Sequence, residues 1–115
     1  MQNRIILGLI EKVKILTPEG KEREVLARID TGATTSSMDL KLAKNLELSN
    51  FKASKMIKSA SGIGIRKVIK VKIQIKDKIL ERKFTLADRS HMTYQILIGQ
   101  NILKNGNFLI DPNLK

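Results

Sequence analysis

From Ile65 to Lys76 the chain alternates, with Ile65, Ile69, Val71, Ile73 and Ile75 set against Arg66, Lys70, Lys72, Gln74 and Lys76. Successive side chains of a strand point to opposite faces, so this run predicts a long strand with one face in a core and one in water. Lys67 is the one basic residue on the apolar side, and Val68 the lone apolar residue on the wet side. Asp77-Lys78 turns the chain back into a second strand over Ile79 to Leu86. Upstream, Arg4 to Leu16 reads as a strand, two-sided at first and then alternating. Thr17-Pro18-Glu19-Gly20 has the Pro and Gly of a tight turn, so Glu22 to Ile29 returns as the other arm of a hairpin. Ser36-Ser37-Met38-Asp39 reads as the start of a short helix through Leu40, Leu42, Ala43 and Leu46, with Ser37 or Asp39 as its cap. Ile96 to Ile98 is a buried strand, Asn101 to Lys104 a helical turn, and Phe108 to Ile110 a last strand. The expectation is a mainly β domain with one or two short helices.

At the end of the hairpin stands Arg28-Ile29-Asp30-Thr31-Gly32-Ala33-Thr34-Thr35-Ser36. Asp, Thr and Gly favour a tight turn, because Gly has backbone freedom and the two side chains bond to nearby amides. A carboxylate at a strand tip is both held and reachable. Alone, the tripeptide also fits an ordinary surface turn. It is answered downstream by Gln95-Ile96-Leu97-Ile98-Gly99-Gln100-Asn101-Ile102-Leu103, an apolar strand broken by Gly and followed by a helical pattern. Between them, Ser61, Gly62, Ile63 and Gly64 mark a small, Gly-containing tip.

These blocks in this order resemble the retropepsins, the single-domain aspartic proteases. They resemble more closely the retropepsin-like family known as ATP-dependent zinc proteases of RimB type, linked to a ligase that adds glutamates to a ribosomal protein. The matching blocks are Asp30-Thr31-Gly32-Ala33, Asp88-Arg89-Ser90-His91-Met92, Leu97-Ile98-Gly99 and Phe108-Leu109-Ile110-Asp111-Pro112. Thr34 stands where many relatives carry Arg, and Ser90-His91 where relatives often carry two acids. The resemblance implies a closed β-barrel over residues 1–115 as one domain, and an aspartic endopeptidase with Asp30 as the catalytic residue. It also implies a flap at Ser61 to Gly64, a bracing role for Thr31, close amide approach at Gly32, and Ile98 and Gly99 as support behind the turn.

Aspartic proteolysis needs two carboxylates sharing one proton, since like charges so close cannot both ionise. The chain supplies one Asp-Thr-Gly, and Asp39, Asp77, Asp88 and Asp111 lack the same turn, so a dyad requires a homodimer. With one histidine and no cysteine, a three-ligand zinc site would have to be built from His91 and carboxylates, His91 in its polar turn reads as a solvated histidine, and no Ser-His-Asp or Cys-His set can be proposed. Gly62-Ile63-Gly64 lacks the rest of a phosphate-binding loop, so no cofactor is expected.

Charge bears on the partner. Twenty-two Lys and Arg face eleven Asp and Glu, a formal net charge of +11. Such a field attracts acidic peptides, anionic surfaces or nucleic acid. Arg28, Lys58, Arg66 and Arg89 are the candidates for holding an acidic peptide substrate. The competing reading is a catalytically inert basic β-domain that binds RNA or an acidic protein. Few aromatic residues argue against single-strand stacking. Ile5 to Ile10 is too short an apolar run to span a bilayer, and the lack of cysteine fits a reducing compartment. The expectation is a cytoplasmic protein without a membrane partner.

Overall fold

The computed structural model describes residues 3–48, 53–59 and 62–114. In chain order the elements are β1 (Ile6–Leu7), β2 (Ile10–Leu16), β3 (Glu22–Ile29), β4 (Ser36–Asp39), α1 (Leu40–Asn45), β5 (Ala53–Ser59), β6 (Gly62–Ile75), β7 (Lys78–Ala87), β8 (Ile96–Ile98), α2 (Gln100–Asn105) and β9 (Leu109–Ile110).

The alternating stretch is the hub. One edge of β6 pairs with β7, and its other edge is shared between β5 and β2. The order β2-β3-β8-β4-β7-β6 closes through the β2–β6 pairing into a six-stranded barrel, with β5 extending outside the closure. Closure leaves β2 and β6 no free edge where they meet, which removes a route to edge-to-edge aggregation. The odd residues Ile69, Val71, Ile73 and Ile75 face inward as the alternation predicts, and meet Phe84, Ile96 and Ile98 in one apolar core. The mainly β class, the closed barrel and the two short helices agree with the sequence-based expectation.

Four local expectations are corrected. The first strand is two, because the chain breaks at Gly8, whose N–H donates to Glu11 Oε2 at 2.6 Å. β1 then pairs parallel with β9 while β2 makes the hairpin. Ser36 to Asp39 is a strand, not a helix start; it is buried along its whole length between β7 and β8. The helix begins at Leu40, and Asp39 precedes it without a side-chain cap bond. Val68 is 7% exposed, not in water, because it lies opposite Thr85 in a row of the outer face that is itself buried. Finally, the stretch before Gly62 holds a strand that the alternation alone did not suggest, β5, which pairs antiparallel with β6 so that Gly62 and Gly64 lie opposite Ser59 and Ile57 at the end of the ladder. Ser61, grouped with them in the sequence, lies outside the described residues.

The hairpin turn forms as Pro18 and Gly20 direct. The Gly20 N–H donates to Thr17 O at 3.0 Å, and Gly20 has φ of 87°, where a side chain would be strained. No helix among the described residues is long and apolar enough to cross a membrane.

Candidate active site

β3 pairs parallel with β8, and the ladder runs one step past the strand end, the Asp30 N–H donating to Ile98 O at 2.9 Å. This fixes the Asp30 backbone at the barrel rim. The Gly32 N–H then folds back to Asp30 Oδ1 at 2.9 Å, the local bond that makes an Asp-led turn. Asp30 is half-buried, while Thr31 and Gly32 are exposed beyond it. The carboxylate is thus oriented by an amide and open to a partner.

The turn rests on the corner after β8. A Cβ on Gly99 would come within 2.8 Å of both Ala33 O and Thr35 O, so only glycine fits there. Gly32 is different: a Cβ there would meet only Asp30 Oδ1 at 3.4 Å, and its φ is not left-handed. Within this chain, the steric requirement falls on Gly99 and not on Gly32. The start of α2 completes the clamp. The Gln100 N–H donates to Ala33 O at 2.7 Å, the Asn101 N–H to Thr34 O at 3.2 Å, and Gln100 Nε2 to Thr31 O at 2.8 Å.

Ser36 and Asn101 lock the corner from beneath. Asn101 Oδ1 accepts from the Ser36 N–H at 3.0 Å and from the Ser36 hydroxyl at 2.8 Å, while Asn101 Nδ2 donates to Lys83 O at 2.8 Å. The Ser36 Oγ in turn accepts the Gly99 N–H at 2.9 Å. Ser36 is fully buried, so every one of these partners replaces a water it cannot reach. Sequence reading missed both residues. The available signal was two amide side chains directly after the glycine of a strand-to-helix corner.

Arg28 lies two residues before Asp30, on the same side of the strand. Directly opposed residues share a sheet face, so Arg28, Leu97, Ser37, Thr85 and Val68 form one row across β3, β8, β4, β7 and β6. Beyond the row, buried Asp39 accepts the Arg89 N–H at 2.8 Å, and Arg89 Nε donates to Tyr94 O at 3.0 Å. Partial burial lowers the Arg89 pKa from its ordinary value, as does repulsion from Arg66 and Arg28, against the pull of Asp39 and Asp30. Three of the four predicted basic residues therefore share one electrostatic neighbourhood with Asp30. Among the described residues none of these three arginines forms an ion pair. The side chain of Lys58, the fourth, lies outside what is described.

Exposed His91 is in the turn after β7, and no three His, Asp or Glu side chains converge as metal ligands among the described residues. The side chains present do not fit a zinc centre of the kind the older family name implies.

No curated protein matches the chain. Among solved structures it is similar to Lpg0085, a protein of unknown function from Legionella pneumophila subsp. pneumophila str. Philadelphia 1. The TM-score is 0.67 at 21% identity, over 98% of this chain and 97% of that one. At that identity the likeness establishes the fold alone. A family model described as "RimB-like: Retropepsin-like aspartic endopeptidase RimB" matches residues 40–115, and its description names neither zinc nor ATP. The match starts beyond the Asp30 turn and rests on the part of the barrel that carries Gly99 and its helix; on that ground the chain belongs to the RimB-like family of retropepsin-like aspartic endopeptidases.

Proposed function

We propose that the chain is an aspartic endopeptidase that works as a homodimer, with Asp30 of each copy meeting across a two-fold axis. The observation that carries this reading is the Asp30 turn itself: a single carboxylate, oriented by the Gly32 amide, presented at the rim, and braced by a corner that tolerates only glycine. One such turn is half of a dyad. Apolar surface close by is consistent with a second copy. Leu9, whose carbonyl accepts the Ile29 N–H, is 50% exposed, and the opposed pair Ile6 and Leu109 of β1 and β9 are 46% and 43% exposed.

In the dimer the two carboxylates hold one proton between them. The ionised member takes a proton from a bound water, whose oxygen attacks the scissile carbonyl carbon. The protonated member donates to the carbonyl oxygen, giving a tetrahedral intermediate with no covalent enzyme adduct. Proton return to the leaving nitrogen releases the amine. Gly62, Ile63 and Gly64 belong to the hairpin arm of β5 and β6 and would contribute to a cover over the peptide.

The preferred peptide in this reading is acidic. Arg28 and Arg66 act on Arg89 by repulsion and Asp30 by attraction, none of the three arginines forms an ion pair among the described residues, and Arg89 carries its charge at a desolvation cost that a substrate carboxylate would offset. Each exposed contact is worth less than about 1 kcal/mol, so several must act together. The test compares cleavage of a Glu-rich and a neutral peptide at low and high salt, with the wild type and Asp30→Asn. The expected result is loss of all cleavage in Asp30→Asn and a steeper salt dependence for the Glu-rich peptide. Equal rates and equal salt slopes would refute charge recognition and leave the endopeptidase assignment intact.

A further inference from the structure

The other conspicuous charge lies away from Asp30, where the barrel closes. The registers Leu16↔Lys72 and Lys14↔Gln74 on one side of β6, and Lys70↔Lys83 and Lys72↔Glu81 on the other, put these side chains on one outer face. Lys12 extends the same face along β2, and Lys76 follows β6 in the turn at its end. The acids on or beside it are Glu11, Glu22, Glu24 and Glu81, with Glu24 directly opposite Lys14. Glu22 pairs with Lys14 at 3.7 Å, and Glu11 pairs with Lys76 at 3.3 Å. Glu81 lies opposite Lys72 without forming an ion pair, and Lys12, Lys70, Lys72 and Lys83 have no acid within ion-pair distance among the described residues. Lys70 and Lys83 are direct cross-strand neighbours, an arrangement that is destabilising unless an anion lies between or over the pair.

The face is also shaped. A recess of about 480 Å³ is bordered by Lys12, Lys14, Gln74 and Lys76 together with Glu11 and Glu24, and a second of about 310 Å³ by Lys70, Lys72, Glu81 and the Thr17-Pro18 turn. From Lys70 to Gln74 the strand runs about 13 Å, enough to follow more than one phosphate of a backbone.

We infer that this outer face of β2, β6 and β7 binds the phosphate backbone of double-stranded nucleic acid, through the unpaired Lys12, Lys70, Lys72 and Lys83. An acidic peptide fits it less well. From Lys72 to Ile75 both edges of β6 are occupied by β2 and β7, so an extended peptide has no strand edge to join there, whereas a phosphate backbone needs only placed positive charge. The lysines act as point charges, which gives binding without sequence preference. With Phe84 and Phe108 buried, the described residues of the face offer no ring on which single-stranded bases could stack, which favours the duplex. The inference does not depend on Asp30 being catalytic.

The test is fluorescence anisotropy of a labelled 20-base-pair RNA duplex of arbitrary sequence, titrated with the full chain over a range of salt. The comparison is the triple variant Lys70→Ala, Lys72→Ala, Lys83→Ala, with thermal melting as the check on folding. The expected result is an affinity that falls linearly on a log–log salt plot, with the triple variant shallower by about three, one unit per lost phosphate contact. A single-stranded RNA and a Glu-rich peptide of equal charge should bind at least tenfold more weakly than the duplex. Unchanged affinity and slope in a folded triple variant would overturn the proposal. So would equal binding of the peptide, which would make the face a site for acidic protein.

Discussion

The corner behind Asp30 and the lysine face of β2, β6 and β7 are built on opposite principles. At the corner, Gly99, Ser36, Asn101 and Gln100 fix backbone groups at distances of 2.7–3.2 Å, with no space for one more carbon beside Gly99. On the lysine face, charges stand opposite one another without partners, and Lys70 faces Lys83 directly. The corner is specified by shape and satisfied hydrogen bonds, so it answers to single atoms and hardly to salt. The face is specified by charge, so it answers to salt and tolerates changes of shape. A protein that must hold a carboxylate in position while meeting an anionic partner has use for both.

Substitutions can separate the two regimes. The largest loss of stability is expected for Gly99→Ala, whose Cβ would be driven into the carbonyls of Ala33 and Thr35. Overpacking of this kind costs about 3 kcal/mol at its upper end, read as a lower denaturant midpoint at unchanged slope. Asn101→Ala leaves the buried Ser36 N–H and hydroxyl without their acceptor and should cost about 2 kcal/mol, independent of salt. A salt-dependent loss there would mean that the corner is held electrostatically after all. Lys70→Ala should move stability least and in the opposite direction. Removing one member of a like-charge pair should raise stability by about 0.5 kcal/mol at low salt, and the gain should vanish as salt is added. A loss instead would show that Lys70 contributes contacts and not just repulsion.

What could be read from the sequence follows the same division. The Asp30 turn, the Gly99 corner and the Pro18–Gly20 hairpin were legible because residue type alone carries their chemistry. The β6 alternation was legible because one face of that strand is wet from Lys70 to Lys76. β4 was not, since Ser-Ser-Met-Asp has the composition of a helix cap; a strand paired on both sides and buried on both faces shows no alternation. Val68 was misplaced for a related reason: its cover comes from a tertiary row that no local pattern encodes. The Ser36–Asn101 lock joins residues far apart in the chain, and only the β4–β8 pairing brings them together. Arg28, Arg66 and Arg89 were identified by charge, but their gathering around Asp30 required the sheet order.

The central claim is that catalysis needs one Asp30 from each of two chains. Mixing wild type with Asp30→Asn at equal total concentration, under conditions where subunits exchange, tests it most directly. If each active site takes a carboxylate from both copies, an equal mixture retains about a quarter of the wild-type rate, because only dimers of two wild-type chains work. Each chain acting alone would leave about half, and that result would contradict the shared dyad.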